Sequence, residues 1–169
     1  MRYTTRTEYG LICMIYLANH TVADHITIKE LAAQENYPVP YIEKILQALR
    51  QAGLVTSQQG SHGGYVLSRK SSEITMKDIV EALEGSTFDI FCQSNVREDI
   101  VCNHICLCGA KPIWKETKHL LDNFYGALTL EMLARPQAEV QSMLVRGTNR
   151  HPERSEGSYV EILRPSGSE

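Results

Sequence analysis

Four of the five cysteines, Cys92, Cys102, Cys106 and Cys108, lie within 17 residues of one another in the spacing C-x9-C-x3-C-x-C. Thiolates are soft ligands that select iron–sulfur clusters, zinc or copper(I). The spacing lacks the C-x2-C pairs of a zinc ribbon. The stretch from Phe88 to Ala110 that carries these residues has neither helical nor strand periodicity, and such a loop can wrap any of these centres. Two further uses of the same thiols stay open: a zinc site of irregular spacing, and redox-active cysteines without metal. Cys13 stands apart, on the apolar side of a helical pattern, where a free cysteine behaves as a small hydrophobe. The scattered histidines (His20, His25, His62, His119 and His151) read as solvated or locally bonded. No C-x-x-C beside a strand–helix unit and no nucleophile–base pairing appears, so an enzyme is not expected.

Compartment bears on the thiols. The chain holds no run of about 18 apolar residues. Its opening MRYTTRTEYG lacks the charged-then-apolar pattern of a leader. A cytoplasmic protein with no membrane partner is therefore expected. There thiols stay reduced, which favours metal binding or catalysis over structural disulfides for clustered cysteines.

The elements around the cysteines can be read from capping and periodicity. Thr5-Arg6-Thr7-Glu8 has the form of a capping box, opening a helix to about Asn19 with Tyr9, Ile12, Cys13, Tyr16 and Leu17 on one stripe. Thr27-Ile28-Lys29-Glu30 opens a second, short helix in the same way. Pro40 suits the first turn of a third helix, which carries Ile42, Ile45, Leu46 and Leu49 inward and stops at Gly53. Leu54–Gln58, a glycine-rich turn and Tyr65–Leu67 read as a β-hairpin. Thr75 opens a fourth helix that Gly85 closes. From Pro112 a long helix is predicted to about Leu133, roughly 33 Å in length. Its apolar stripe, Ile113, Trp114, Leu120, Leu121, Phe124 and Leu128, needs a partner surface, most simply a second copy of the chain.

The predicted fold class is mainly α with a small β-hairpin wing: a winged helix-turn-helix plus a long C-terminal dimerisation helix. The boundaries are 1–85 for the DNA-binding domain, 86–111 for the cysteine-rich loop, 112–135 for the dimerisation helix and 136–169 for a disordered tail. That tail is polar and rich in Gly, Ser and Pro in its last part.

The formal net charge is −3, but it is unevenly spread. Residues 1–70 hold 7 Lys+Arg against 5 Asp+Glu, whereas residues 71–135 hold 6 against 10. A local patch, not the total, is what meets phosphate. With its apolar stripe inward, the third helix turns Tyr41, Glu43, Lys44, Gln47 and Arg50 outward, where they can reach base edges and phosphates in a major groove. Thr27 at the head of the motif joins them. Ser57, Gln59, Ser61 and His62 of the hairpin are placed to approach the DNA backbone or minor groove. The acidic residues Asp78, Glu81, Glu84, Asp89, Glu98 and Asp99 read as solvated faces.

These segments bring a resemblance into view. EYGLICMIYLA (8–18), ITIKELAAQENYPVPYIEKILQALRQAGLV (26–55), GSHGGYVLSR (60–69) and ITMKDIVEALEG (74–85) resemble the Rrf-type transcription regulators, the family of IscR, NsrR and CymR. The similarity runs over residues 1–135. It implies a homodimer crossed at the long helices, two recognition helices on a palindromic double-stranded operator, and a role as a repressor. In the cluster-binding members the last of three cysteines stands six residues before a Trp, as Cys108 stands before Trp114. The resemblance thus implies Cys92, Cys102 and Cys108 as ligands of a 2Fe–2S or 4Fe–4S cluster sensing iron–sulfur status, redox state or nitric oxide. Cys106 is an extra, either a fourth ligand or an alternative to Cys108. Two departures stand out: Gln59 where many members carry an Arg in the wing, and Lys111 where some carry a ligating His.

Overall fold

The structure, a computed structural model, describes residues 3–20, 25–58, 60, 63–89 and 108–148. The chain divides into two compact units, Met1–Ala134 and Arg135–Glu169. In the first, the described elements are α1 (Thr5–Ala18), α2 (Ile28–Glu35), α3 (Val39–Gln51), β1 (Val55–Gln58), β2 (Gly64–Leu67), a 3-10 turn at Ser71–Glu73, α4 (Met76–Glu84), α5 (Ala110–Ala127) and α6 (Leu130–Leu133). β1 and β2 pair antiparallel, with Val55 opposite Leu67 and Gln58 opposite Gly64. The result is a mostly helical domain with a two-stranded wing, as the sequence predicts.

One apolar core holds the domain together. Cys13, Met14 and Leu17 from α1, Leu31 from α2, Ile42, Ile45, Leu46 and Leu49 from α3, Ile79 and Leu83 from α4, Leu130 from α6, and Leu54 and Ile74 from the connections are all buried in it. Full burial of one such side chain contributes about 1.5–3 kcal/mol. The sequence's inward stripe on α3 is therefore the stripe that packs, and Cys13 is a core residue.

Local chemistry sets the helix starts. The Thr27 hydroxyl accepts from Glu30 N at 3.1 Å at the head of α2. Thr75 and Asp78 complete a reciprocal capping box on α4. The box predicted at Thr5 does not form: Thr4 is the N-cap of α1 and makes no side-chain bond to its own helix. Its hydroxyl donates instead to Glu84 Oε1 at 2.5 Å, a charged acceptor at the far end of α4. Gly53 ends α3 with φ +70, the left-handed conformation a side chain resists.

The long helix is shorter than predicted. α5 stops at Ala127, because Leu128 is extended and Thr129 caps α6 through Met132 N. Leu128 O accepts from Met76 N at 2.8 Å, and Leu130 N donates to Ile74 O at 2.7 Å. The chain thus forms an antiparallel bridge, Thr75 to Thr129, with the entry of α4. Leu128, predicted on the partner-facing stripe, is only 8 % exposed and belongs to its own chain's interior. Ile113, Trp114, Leu120 and Phe124 remain exposed on α5, and Leu121 is half-buried.

In the second unit, α7 spans Gln137–Thr148. Glu139 N and Val140 N bond Pro136 O in its first turn. Residues 137–148, predicted as part of a disordered tail, are therefore helical. Residues 149–169 lie outside the described residues.

Candidate nucleic-acid interface

The helix-turn-helix is built by α2, a tight turn and α3. Asn36 takes the left-handed conformation, φ 55, which lets Tyr37 N bond back to Ala32 O at 2.9 Å. Tyr37 stacks on Tyr9 of α1 with ring centroids 3.9 Å apart, and Tyr41 meets the same ring edge-on at 5.5 Å. These contacts fix α3 against α1. Burial of Ile42, Ile45, Leu46, Ala48 and Leu49 leaves Glu43, Lys44, Gln47 and Arg50 exposed along the opposite face. Tyr41 is half-buried, held by Tyr9 and by a 3.0 Å hydrogen bond between its hydroxyl and Thr5 Oγ1.

The wing is attached to this face at two places. Arg50 Nη1 donates to Ser57 Oγ at 3.0 Å, linking the last turn of α3 to β1. On the other edge, Ile26 and Tyr65 exchange backbone hydrogen bonds of 3.1 and 2.8 Å, so the entry to α2 makes an isolated antiparallel bridge to β2. The approach is close enough that a Cβ at Gly64 would come within 2.7 Å of Ile26 O. Thr27, next along, is exposed, though its hydroxyl oxygen is engaged as a cap. Gln59, Ser61 and His62, the predicted wing-tip contacts, lie outside the described residues.

Of the cysteine cluster, Cys108 alone is among the described residues. It is half-buried at the entry of α5, where its carbonyl accepts from Lys111 N at 3.2 Å. Cys92, Cys102 and Cys106 lie outside them. Among the described residues no three metal-ligating side chains come together.

The start of this segment is anchored by partners that spacing along the chain does not reveal. Thr87, 1 % exposed, donates its hydroxyl proton to Asp122 of α5. Lys118 Nζ donates to Ser86 Oγ, Thr87 Oγ1 and Asp122 Oδ1 at 3.2–3.4 Å. Lys77 of α4 stands 3.7 Å from the other Asp122 oxygen. Burial pushes the Asp122 carboxyl up, but the Thr87 and Lys118 hydrogen bonds and the lysine charges outweigh it and hold it below its ordinary value. Phe88 lies against Trp114, ring centroids 6.0 Å apart.

Glu84 ties the same region to α1. Its Oε1 accepts from Thr4 N, Thr4 Oγ1 and Thr7 Oγ1. Burial acts to raise this carboxyl, yet those bonds and the Arg6 charge hold it below the ordinary range. Nearby, Tyr3 donates its hydroxyl proton to Tyr125 of α5 at 2.7 Å, and burial, with that bond, pushes the Tyr3 phenol up. Glu84 and Asp78, which also pairs with Arg69 at 3.3 Å, are thus structural groups and not solvated faces. For Glu84 the helical spacing alone carried no signal of this; only its partners on α1 do.

Comparison with known proteins gives a consistent picture. A family model described as Rrf2, iron-dependent transcriptional regulator, matches residues 3–136. The protein rrf2 of Nitratidesulfovibrio vulgaris is 33 % identical over 135 residues, which cover 80 % of this chain and 88 % of that one. The solved structure of CymR, the global cysteine regulator of B. subtilis, superposes with TM-score 0.65 at 31 % identity, covering 79 % of this chain and 96 % of its own. That of T. potens IscR superposes with TM-score 0.58 at 25 % identity, covering 92 % and 94 %.

Proposed function

The chain belongs to the Rrf2 family of transcriptional regulators, and from that premise we propose that it is a cytoplasmic homodimeric repressor whose DNA affinity is set by its cysteine segment. The relatives are named as regulators, not enzymes. The observation that carries the DNA-binding part is the exposed row Glu43, Lys44, Gln47 and Arg50 on a helix wedged beside a wing. Gln47 suits adenine and Glu43 suits the cytosine amino group, while Lys44 neutralises phosphate. The exposed apolar side chains of α5, Ile113, Trp114, Leu120 and Phe124, support a second copy of the chain as the partner. Two copies related by a two-fold axis read a palindrome with half-sites about one DNA turn apart.

For the cysteine segment the donor chemistry fits an iron–sulfur cluster of 2Fe–2S or 4Fe–4S type. Cys92, Cys102 and Cys108 are the proposed ligands and Cys106 the fourth or alternative thiolate. When bound, such a cluster supplies a group that responds to oxidation, nitric oxide or iron supply. The chain's own residues supply the connection to DNA. The segment begins at residues bolted to α5 through Thr87, Lys118 and Asp122, and ends at Cys108 as α5 begins. Glu84, just before it, holds Thr4 and Thr7, and the intervening Thr5 holds Tyr41 of the recognition helix. A change in the order of the segment is thereby linked to a helix that meets DNA, a local event biasing a two-state element.

A second reading keeps the regulator and removes the cluster: the same cysteines act as redox thiols or hold zinc. The similarity to CymR, the global cysteine regulator of B. subtilis, favours it. Anaerobic purification separates the two readings. Visible absorbance with iron and sulfide in stoichiometric amounts, and a Mössbauer spectrum, support the cluster; a colourless protein with one zinc, or none, overturns it. Selection of bound duplexes from a random pool tests the DNA reading, with a palindromic consensus expected.

A further inference from the structure

The recognition helix has two flanks, and the wing occupies one of them. The other faces the first turn of α1 across an open basin of about 450 Å³ lined by the polar side chains Arg6, Tyr41, Lys44, Gln47 and Gln51 and by the apolar Ile45 and Ala48. Two of these side chains are cations and none is a carboxylate. Among the described residues neither Arg6 nor Lys44 forms an ion pair within 4.0 Å. Glu84 is the carboxylate that feels the Arg6 charge, and its Oε1 is already engaged by Thr4 and Thr7. The Thr5–Tyr41 hydrogen bond spans the two walls and fixes their separation. The site therefore presents two positive charges without a close ion pair among the described residues, a phenol and two amides at one concave place. Such an arrangement is complementary to an anion.

Geometry indicates which anion. An α-helix with its side chains is about 10–12 Å across, and a B-DNA major groove is about 12 Å wide. A helix lying in the groove therefore has a sugar–phosphate strand along each flank. The wing meets one strand. We propose that Arg6 and Lys44, assisted by Tyr41 and Gln51, clamp a phosphate of the other strand, with Arg6 as the principal ligand because its planar fork can hold two phosphate oxygens at once. The clamp rests on the DNA-binding reading above and extends it to α1. Contact from α1 also fixes the depth at which α3 sits, since α1 and α3 are joined through Tyr9, Tyr37 and Tyr41.

The test uses the full chain and a fluorescein-labelled duplex of random sequence, titrated at several KCl concentrations. Each phosphate neutralised contributes about 0.9 to the slope of log K against log salt. Arg6→Gln is expected to make the slope shallower by about 0.9 per protomer and to weaken binding severalfold at low salt. Arg6→Lys is expected to keep the slope, and Gln51→Glu, which sets a carboxylate in the basin, to weaken binding without lowering the thermal midpoint by circular dichroism. If Arg6→Gln fails to fold, Gln51→Glu decides. Wild-type slope and affinity in both Arg6→Gln and Gln51→Glu overturn the clamp and leave the DNA-binding reading standing. No salt-dependent duplex binding by the wild type overturns both.

Discussion

Arg50 spends its guanidinium on Ser57: the 3.0 Å bond from Nη1 to Oγ joins the end of the recognition helix to the first strand of the wing. An arginine on the exposed face of such a helix reads from sequence as a free phosphate ligand. Here it ties α3 to the wing.

Removing this link should cost binding more than stability. Both partners are exposed, so their contribution to folding is small, about 0–1 kcal/mol. Arg50→Ala is expected to weaken duplex binding by removing a charge and loosening the wing, and Ser57→Ala by the second effect alone. A double-mutant cycle on binding checks this: the two losses should be sub-additive, and strict additivity would break the link.

The C-terminal half of the α5 stripe should divide sharply between two neighbours. Leu128 is in the interior and Phe124 is half exposed. Leu128→Ala is expected to destabilise the fold by about 2–4 kcal/mol in urea denaturation. Phe124→Ser should leave the denaturation midpoint of the individual chain nearly unchanged and shift sedimentation toward monomer. Equal effects on both readouts would show that the two side chains serve the same surface.

Acid should release the tie between Glu84 and the start of α1. The Glu84 carboxyl is held below its ordinary value in the fold, so the folded chain binds the proton more weakly than the unfolded chain. The stabilisation is complete above the ordinary carboxylate pKa of about 4.3 and is lost as pH falls through the lower folded value. The melting-temperature gap between wild type and Glu84→Gln is expected to close as the pH drops from about 6 to about 3. Asp122→Asn should behave alike, because Asp122 shifts in the same direction. A gap that stays constant over this range would rule out the carboxylate as its source.

The cysteines should separate by role. Cys102→Ala and Cys108→Ala are expected to abolish visible absorbance and iron retention after anaerobic reconstitution, with Cys13→Ala leaving both intact, because Cys13 is a core residue. Retention of full colour in Cys102→Ala would remove it from the ligand set. Cys106→Ala tells whether the extra thiolate binds: full iron content assigns the fourth position elsewhere.

Features set by neighbours in the chain were legible in the sequence. The caps at Thr27 and Thr75 act over three residues, and the inward stripe of α3 follows from helical spacing alone. What escaped depends on distant partners. Thr5 lost its predicted capping role because Thr4, one residue earlier, is held by Glu84, 80 residues away. α5 broke at Leu128 because residues 128–130 pair with residues 74–76. Arg6 drew no notice because the basin it shares with Lys44 exists only once α1 packs on α3. Helix α7 did leave a trace, Val140, Met143 and Leu144 at helical spacing, obscured by the polar stretch after it. The cysteine spacing announced soft-ligand chemistry, but three of its four residues lie outside the described residues.

The Thr75–Thr129 bridge has a mechanical consequence. It pins the far end of α5 to the base of α4, while Asp122 pins its middle to Lys77 and Thr87. An arm fastened at two points does not pivot. In a dimer joined through α5, the two DNA-reading heads behave as the jaws of a locked calliper, not as weights on strings. Inserting one base pair between half-sites turns one of them by about 35° around the DNA axis, and a frame with so little compliance cannot follow. In the dimer proposed above, operator spacing would then be selected by stiffness, independently of any base the protein touches.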